Sequence, residues 1–140
     1  GSDWAERFKK FTFGNITKSE VDKIEDSDEL SQMAVIWNLN LTKDEKLFLE
    51  IFNKYSNSNK WVVLASICCH KDCPDTILDK ILKNGFKKGY EYLLRIISRN
   101  KNVSKETLKR IIDNPNLEYR YKIVAKIAYD KGVEKANELR

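Results

Sequence analysis

Asn40-Leu-Thr-Lys-Asp-Glu-Lys-Leu-Phe-Leu-Glu-Ile-Phe-Asn-Lys-Tyr55 carries the two signals that decide the fold. Leu47, Phe48, Ile51, Phe52 and Tyr55 recur at the spacing that puts side chains on one face of an α-helix. Ahead of them Thr42 and Glu45 have the spacing of a capping box, in which the hydroxyl accepts a free backbone N–H and the glutamate reaches back to the cap's own N–H.

The arrangement recurs on both sides of this stretch. Asn15-Ile16-Thr17, Asn40-Leu41-Thr42 and Asn102-Val103-Ser104 are three copies, and Asp72-Cys73-Pro74 is a degenerate fourth. Positions 17, 42, 74 and 104 are therefore 25, 32 and 30 residues apart. Each is expected to open a helix: Thr17 with Glu20 repeats the capping box, and Pro74 suits a first helical position, where its missing donor costs nothing. The stripes behind these caps are Val21 and Ile24, the Leu47–Tyr55 set, then Ile77, Leu78, Ile81 and Leu82, and finally Leu108, Ile111 and Ile112.

Turns at Asp26-Ser27, Ser56-Asn57-Ser58, Asn84-Gly85 and Asn114-Pro115-Asn116 lead to second helices. Their inward residues are expected to be Leu30, Met33, Ala34 and Trp37; Trp61, Leu64, Ala65 and Cys68; Tyr90, Leu93, Leu94 and Ile97; and Leu117, Tyr121, Val124, Ala125 and Ala128. Trp4, Trp37 and Trp61 fall on these stripes and are expected in the core. The reading is an all-α chain and a single domain over residues 1–140. Its architecture is a HEAT-like α-solenoid, a right-handed superhelix of about four antiparallel helix pairs. The units lie near 15–39, 40–71, 72–101 and 102–130, behind a capping helix at 3–13. Gly132-Val133-Glu134 opens a fifth copy or a short final helix.

Composition agrees with this and narrows the function. The 140 residues are 41% hydrophobic and 34% charged with two prolines and five glycines, which suits one helical domain. The longest apolar run, Trp61 to Ala65, is far short of the roughly 20 residues of a membrane-spanning helix. Three closely spaced cysteines, Cys68, Cys69 and Cys73, do not make a disulfide framework and point to a reducing, cytoplasmic setting. Charge is polarised: residues 1–45 hold six Lys/Arg against ten Asp/Glu, residues 46–140 twenty against eleven, balances of −4 and +9. A basic segment of this kind attracts a polyanion or an acidic protein.

The alternation of Trp61-Val-Val-Leu-Ala-Ser-Ile with His70-Lys-Asp-Cys-Pro-Asp-Thr-Ile-Leu-Asp-Lys-Ile-Leu82, then Asn100-Lys-Asn-Val-Ser-Lys-Glu-Thr-Leu108 and Asn114-Pro-Asn-Leu-Glu-Tyr-Arg-Tyr-Lys-Ile-Val-Ala125, resembles bacterial variant leucine-rich repeats and the related HEAT-like repeats. The resemblance spans roughly residues 15 to 130, with longer and uneven repeats and no aspartate-valine-arginine signature. It implies a binding scaffold whose concave face is lined by the second helix of each pair.

Few residues suggest chemistry. Cys69, His70 and Cys73 form the one cluster of soft ligands, but a closed zinc site takes four and no second Cys/His pair exists, so neither metal nor cofactor is expected. His70, the single histidine, is expected to cap the carbonyls of its own helix end as a cation. The better lead is basic. On the third second-helix Glu91, Arg95 and Ser98 lie opposite the apolar stripe with Arg99 alongside, and on the fourth Tyr119, Lys122, Lys126 and Tyr129 do the same. Arg95, Arg99, Tyr119, Arg120, Lys122 and Lys126 are therefore the expected binding face, basic with tyrosines interleaved. The expected function is non-catalytic binding of a protein with an acidic surface, as by an immunity protein facing its toxin or a defence-associated adaptor. The alternative is DNA binding in the manner of the HEAT-like alkylpurine DNA glycosylases, with nucleic acid the less favoured partner and no membrane contact.

Overall fold

The computed structural model describes residues 2–139, and among these the chain forms ten α-helices, two 3₁₀ turns and no strand. The all-helical expectation therefore holds. No helix is long and apolar enough to cross a membrane. The chain divides into two compact units, Gly1–Ile67 and Cys68–Arg140.

The first unit holds α1 (Ser2–Phe13), α2 (Lys18–Asp22), α3 (Glu29–Ile36), a 3₁₀ turn at Leu41–Lys43, α4 (Glu45–Tyr55) and most of α5 (Trp61–Cys69), which runs across the division. Helix α2 starts where the capping box puts it. Thr17 Oγ1 accepts the Glu20 N–H at 3.2 Å, and Glu20 Oε1 accepts the Thr17 N–H at 3.2 Å. An ion pair with Lys10 and the Thr17 hydrogen bonds hold the Glu20 carboxyl below its ordinary range. The helix is only five residues long, so Val21 is buried while Ile24 falls beyond its end. The cap of α4 is displaced from the predicted position: Asp44, not Thr42, accepts the Leu47 N–H, at 3.1 Å, and Thr42 sits inside the 3₁₀ turn. A carboxylate at this place satisfies a free donor and complements the positive helix N-terminus.

Helix α3 packs against both α1 and α4. Its inward side is Ser31, Gln32, Ala34, Val35 and Ile36, so of the predicted face Ala34 is buried while Leu30 is 50% exposed and Trp37 38%. Two polar residues enter the interior because both have partners. Gln32 Nε2 donates to the carbonyls of Glu25 at 3.0 Å and Asp26 at 3.2 Å, and Ser31 Oγ accepts from Arg7 Nε at 3.3 Å. The other two tryptophans expected in the core, Trp4 and Trp61, are exposed as well. The unit is instead centred on Phe52, fully buried, with Phe48 at 4.4 Å between ring centroids.

The second unit holds α6 (Asp75–Asn84), α7 (Leu93–Arg99), α8 (Lys105–Ile112), a 3₁₀ turn at Tyr119–Tyr121, α9 (Ile123–Lys131) and α10 (Val133–Glu138). Pro74 precedes α6 as its cap, with ψ 153°, one place earlier than predicted. Ser104 caps α8 by accepting the Thr107 N–H at 3.1 Å. The predicted fourth second-helix is interrupted: Tyr119–Tyr121 is a 3₁₀ turn and only Ile123 onward is α-helical. Helix α9 packs on α7, α8 and α10. Gly132, at φ 95°, reverses the chain between α9 and α10 in a region where a side chain is strained. Leu78, Ile81, Leu93, Leu94, Ile97, Leu108 and Ile111 form the centre of the core.

One device recurs in both units. In the first, Asn38 donates from Nδ2 to the carbonyls of Phe11 at 2.7 Å and Gly14 at 2.8 Å, while its Oδ1 accepts the Asn40 N–H at 2.8 Å. In the second, Asn100 donates to the carbonyls of Cys68 at 2.8 Å and His70 at 3.0 Å and accepts the Asn102 N–H at 2.9 Å. Asn40 adds a bond to the Phe13 carbonyl at the end of α1, and Asn102 adds bonds to the Lys71 and Cys73 carbonyls in the connection after α5. Each asparagine pair thus supplies donors to carbonyls in the last turn of a helix and in the connection that follows it.

Candidate functional site

His70 takes the same place in the chain as Asn38 and Asn100, at spacings of 32 and 30 residues, and makes the same turn. Its Nδ1 accepts the Asp72 N–H at 3.1 Å. An accepting nitrogen is unprotonated, and burial lowers the pKa of the ring, against the smaller opposing pull of Asp72. The expected cationic cap is therefore corrected: this imidazole is a neutral turn acceptor. Cys68 and Cys73 are buried thiols raised by desolvation, Cys73 to about 12, and Cys69 is exposed with its pKa raised by partial desolvation. Among the described residues no group of three or more His, Cys, Asp and Glu is placed to hold a metal ion.

The basic residues fall into two groups in the second unit. Helix α7 buries Leu93, Leu94, Ile97 and Ser98, and Ser98 Oγ donates to the Leu94 carbonyl at 2.6 Å. Ser98 is thus inside and not on the basic face. The helical period then leaves Arg95, Ile96 and Arg99 on the other side, one turn after Tyr92. They line a depression of about 500 Å³ with Tyr92, Cys69 and Asn100. The Arg95 guanidinium lies over the Tyr92 ring, 5.4 Å from its centroid.

The second group is Tyr119, Arg120, Lys122 and Lys126. Tyr119 is 64% exposed, and Lys126 Nζ stands 5.6 Å from its ring centroid. Arg120 pairs with Glu118 at 2.9 Å and lies 4.7 Å from the Tyr121 centroid, while Lys122 stands just before α9 and makes no side-chain capping bond. Tyr92 and Cys69 complete the first group and were missed as site residues. Tyr92 was legible as an aromatic three residues before Arg95, whereas Cys69 reaches the depression only through tertiary structure. Compared with protein families, curated proteins and solved structures, the chain matches none.

Proposed function

We propose that the protein is a non-catalytic binding module, a HEAT-like α-solenoid whose second unit engages the acidic surface of a partner protein. The partner class is that of a toxin met by its immunity protein, or of a component of a defence system, in a reducing cytoplasm. The observation that carries this reading is the depression on α7: two arginines and a tyrosine line it and no carboxylate does. The seventeen Lys/Arg against ten Asp/Glu in residues 68–140 supply the field that brings an acidic partner in. The repetition of one turn at Asn38, His70 and Asn100 supports the reading as a repeat array. The single histidine, spent on that turn, supports a binding role over an acid–base one.

The test is fluorescence anisotropy with a labelled glutamate-rich polypeptide and, separately, a random-sequence DNA duplex. The polypeptide is expected to bind. Duplex DNA is expected to bind weakly, with log K falling by about 0.9 per neutralised phosphate per decade of salt. Joint charge reversal of Arg95, Arg120 and Lys126 that leaves polypeptide affinity unchanged refutes the face. Release of alkylated base from an alkylated duplex above a protein-free control refutes the non-catalytic reading in favour of a glycosylase.

A further inference from the structure

Among the described residues, arginines elsewhere in the chain are neutralised locally. Arg7 faces Asp28 at 3.4 Å, Arg110 faces Asp79 at 2.9 Å, and Arg120 faces Glu118 at 2.9 Å. Arg95 differs. It has no carboxylate partner among the described residues, its guanidinium rests on Tyr92, and its Nε is buried with no hydrogen-bond partner. The other large depression of the second unit, about 700 Å³, shows the contrast: Lys109 is held by Asp113 at 3.1 Å, and Lys83 and Arg110 by Asp79. That groove answers its own charge, whereas Arg95 meets no carboxylate among the described residues.

We propose that the α7 depression is a carboxylate-anchoring pocket, which takes one aspartate or glutamate side chain of an acidic peptide segment. This rests on the preceding reading that the second unit binds an acidic protein. Arg95 offers the paired Nη–H donors at the end of its planar guanidinium, which match the two oxygens of a carboxylate, and Arg99 stands one turn on. The contact with the Tyr92 ring restrains the Arg95 guanidinium, so less freedom is lost on binding. Ile96 gives the methylene stem of the entering side chain an apolar wall. A volume of about 500 Å³ accepts a side chain, whereas a nucleic-acid backbone needs a longer track of cations than two arginines on one turn. Of the three cysteines, Cys69 alone is exposed, and it lies in the pocket lining, so its thiol reports occupancy.

The experiment uses the full ¹⁵N-labelled chain titrated with an end-capped glutamate peptide, its glutamine counterpart and inorganic phosphate. The Arg95 Nε–H resonance and the amides of residues 92–99 are expected to shift saturably with the glutamate peptide only, and iodoacetamide is expected to alkylate Cys69 more slowly in its presence. Arg95→Ala abolishes these shifts. Arg95→Lys, which keeps the charge and loses the fork, binds about tenfold more weakly. The buried face of α7 is untouched by either change, so an unaltered amide spectrum elsewhere shows that each variant is folded. Shifts confined to residues 119–126 overturn the pocket while leaving the acidic-partner reading standing, and no shift anywhere overturns both. Equal affinity for phosphate or for the glutamine peptide overturns carboxylate recognition, and full affinity in Arg95→Lys overturns the fork.

Discussion

Replacing Asn100 by alanine tests whether the asparagine turn, beyond apolar packing, holds the end of α5 to the end of α7. Asn100 is 6% exposed, donates to the Cys68 and His70 carbonyls at 2.8 and 3.0 Å, and accepts the Asn102 N–H at 2.9 Å. Truncation removes all three bonds and leaves their partners to find water. A net hydrogen bond is worth about 0.5–1.5 kcal/mol and an unsatisfied buried group costs about 1–3 kcal/mol, so the expected loss is about 3 kcal/mol. Asn114 is the internal control, because it accepts the Asn116 N–H at 2.9 Å and is only half-buried. Asn114→Ala is expected to cost about 1 kcal/mol or less. Urea unfolding followed by far-ultraviolet circular dichroism measures both, and the Asn100→Ala midpoint in a thermal scan should fall by roughly 10 °C. Asn100→Asp sharpens the test, since its carboxylate would face two carbonyl oxygens and its folded pKa would be raised. Below the unfolded value near 3.9 the side chain is protonated in both states and the deficit is smallest, and it grows as pH rises through that value. A loss below about 0.5 kcal/mol for Asn100→Ala, or one equal to that of Asn114→Ala, refutes the argument.

Two further outcomes follow from the same interior. Burial lowers the His70 pKa in the folded state, so its contribution to stability is present above the unfolded value near 6.5 and is lost as pH falls through that value toward the folded one. His70→Asn, which copies Asn38 and Asn100, should keep the turn and flatten that part of the stability profile; an unchanged profile in thermal scans across this range would refute the lowering of the His70 pKa on folding. Phe52→Ala should cost about 3–5 kcal/mol while Trp4→Ala costs under about 1.5 kcal/mol, because Phe52 is fully buried and Trp4 is 53% exposed. Equal losses in denaturant unfolding would mean that the assignment of core and surface is reversed.

The inward face of helix α4 was legible, though its cap was not, because one side of it is covered and the other is wet, which writes the helical period into the sequence as Phe48, Ile51, Phe52 and Tyr55. Helices α6 and α8 read equally well for the same reason, with Ile77, Leu78 and Ile81 buried in one and Leu108 and Ile111 in the other. Helices α3 and α5 did not: α3 turns the polar Ser31 and Gln32 inward, and Trp-Val-Val-Leu-Ala-Ser-Ile-Cys-Cys is apolar around most of its circumference, so no single stripe stands out. Of the candidate site, Arg95 and Arg99 on one side of α7 could be read from spacing. Ser98 was misplaced because its hydroxyl is satisfied by the Leu94 carbonyl of its own helix, which lets a polar side chain face inward.

The asparagine turns show where local reading ends. Asn-x-Asn at 38–40 and again at 100–102 is visible as a pattern, but the carbonyls that these side chains hold lie 24 to 32 residues away. Helix starts such as those at Thr17 and Ser104 were determined by the sequence alone, because a cap and the N–H it satisfies lie within three residues of one another. Which face of α3 turns inward, which asparagine closes which helix end, and that Cys69 joins Tyr92 and Arg95 in one depression were decided only by the tertiary structure. Those outcomes depend on partners distant in the chain, and no periodicity within one helix encodes what another helix will bring against it.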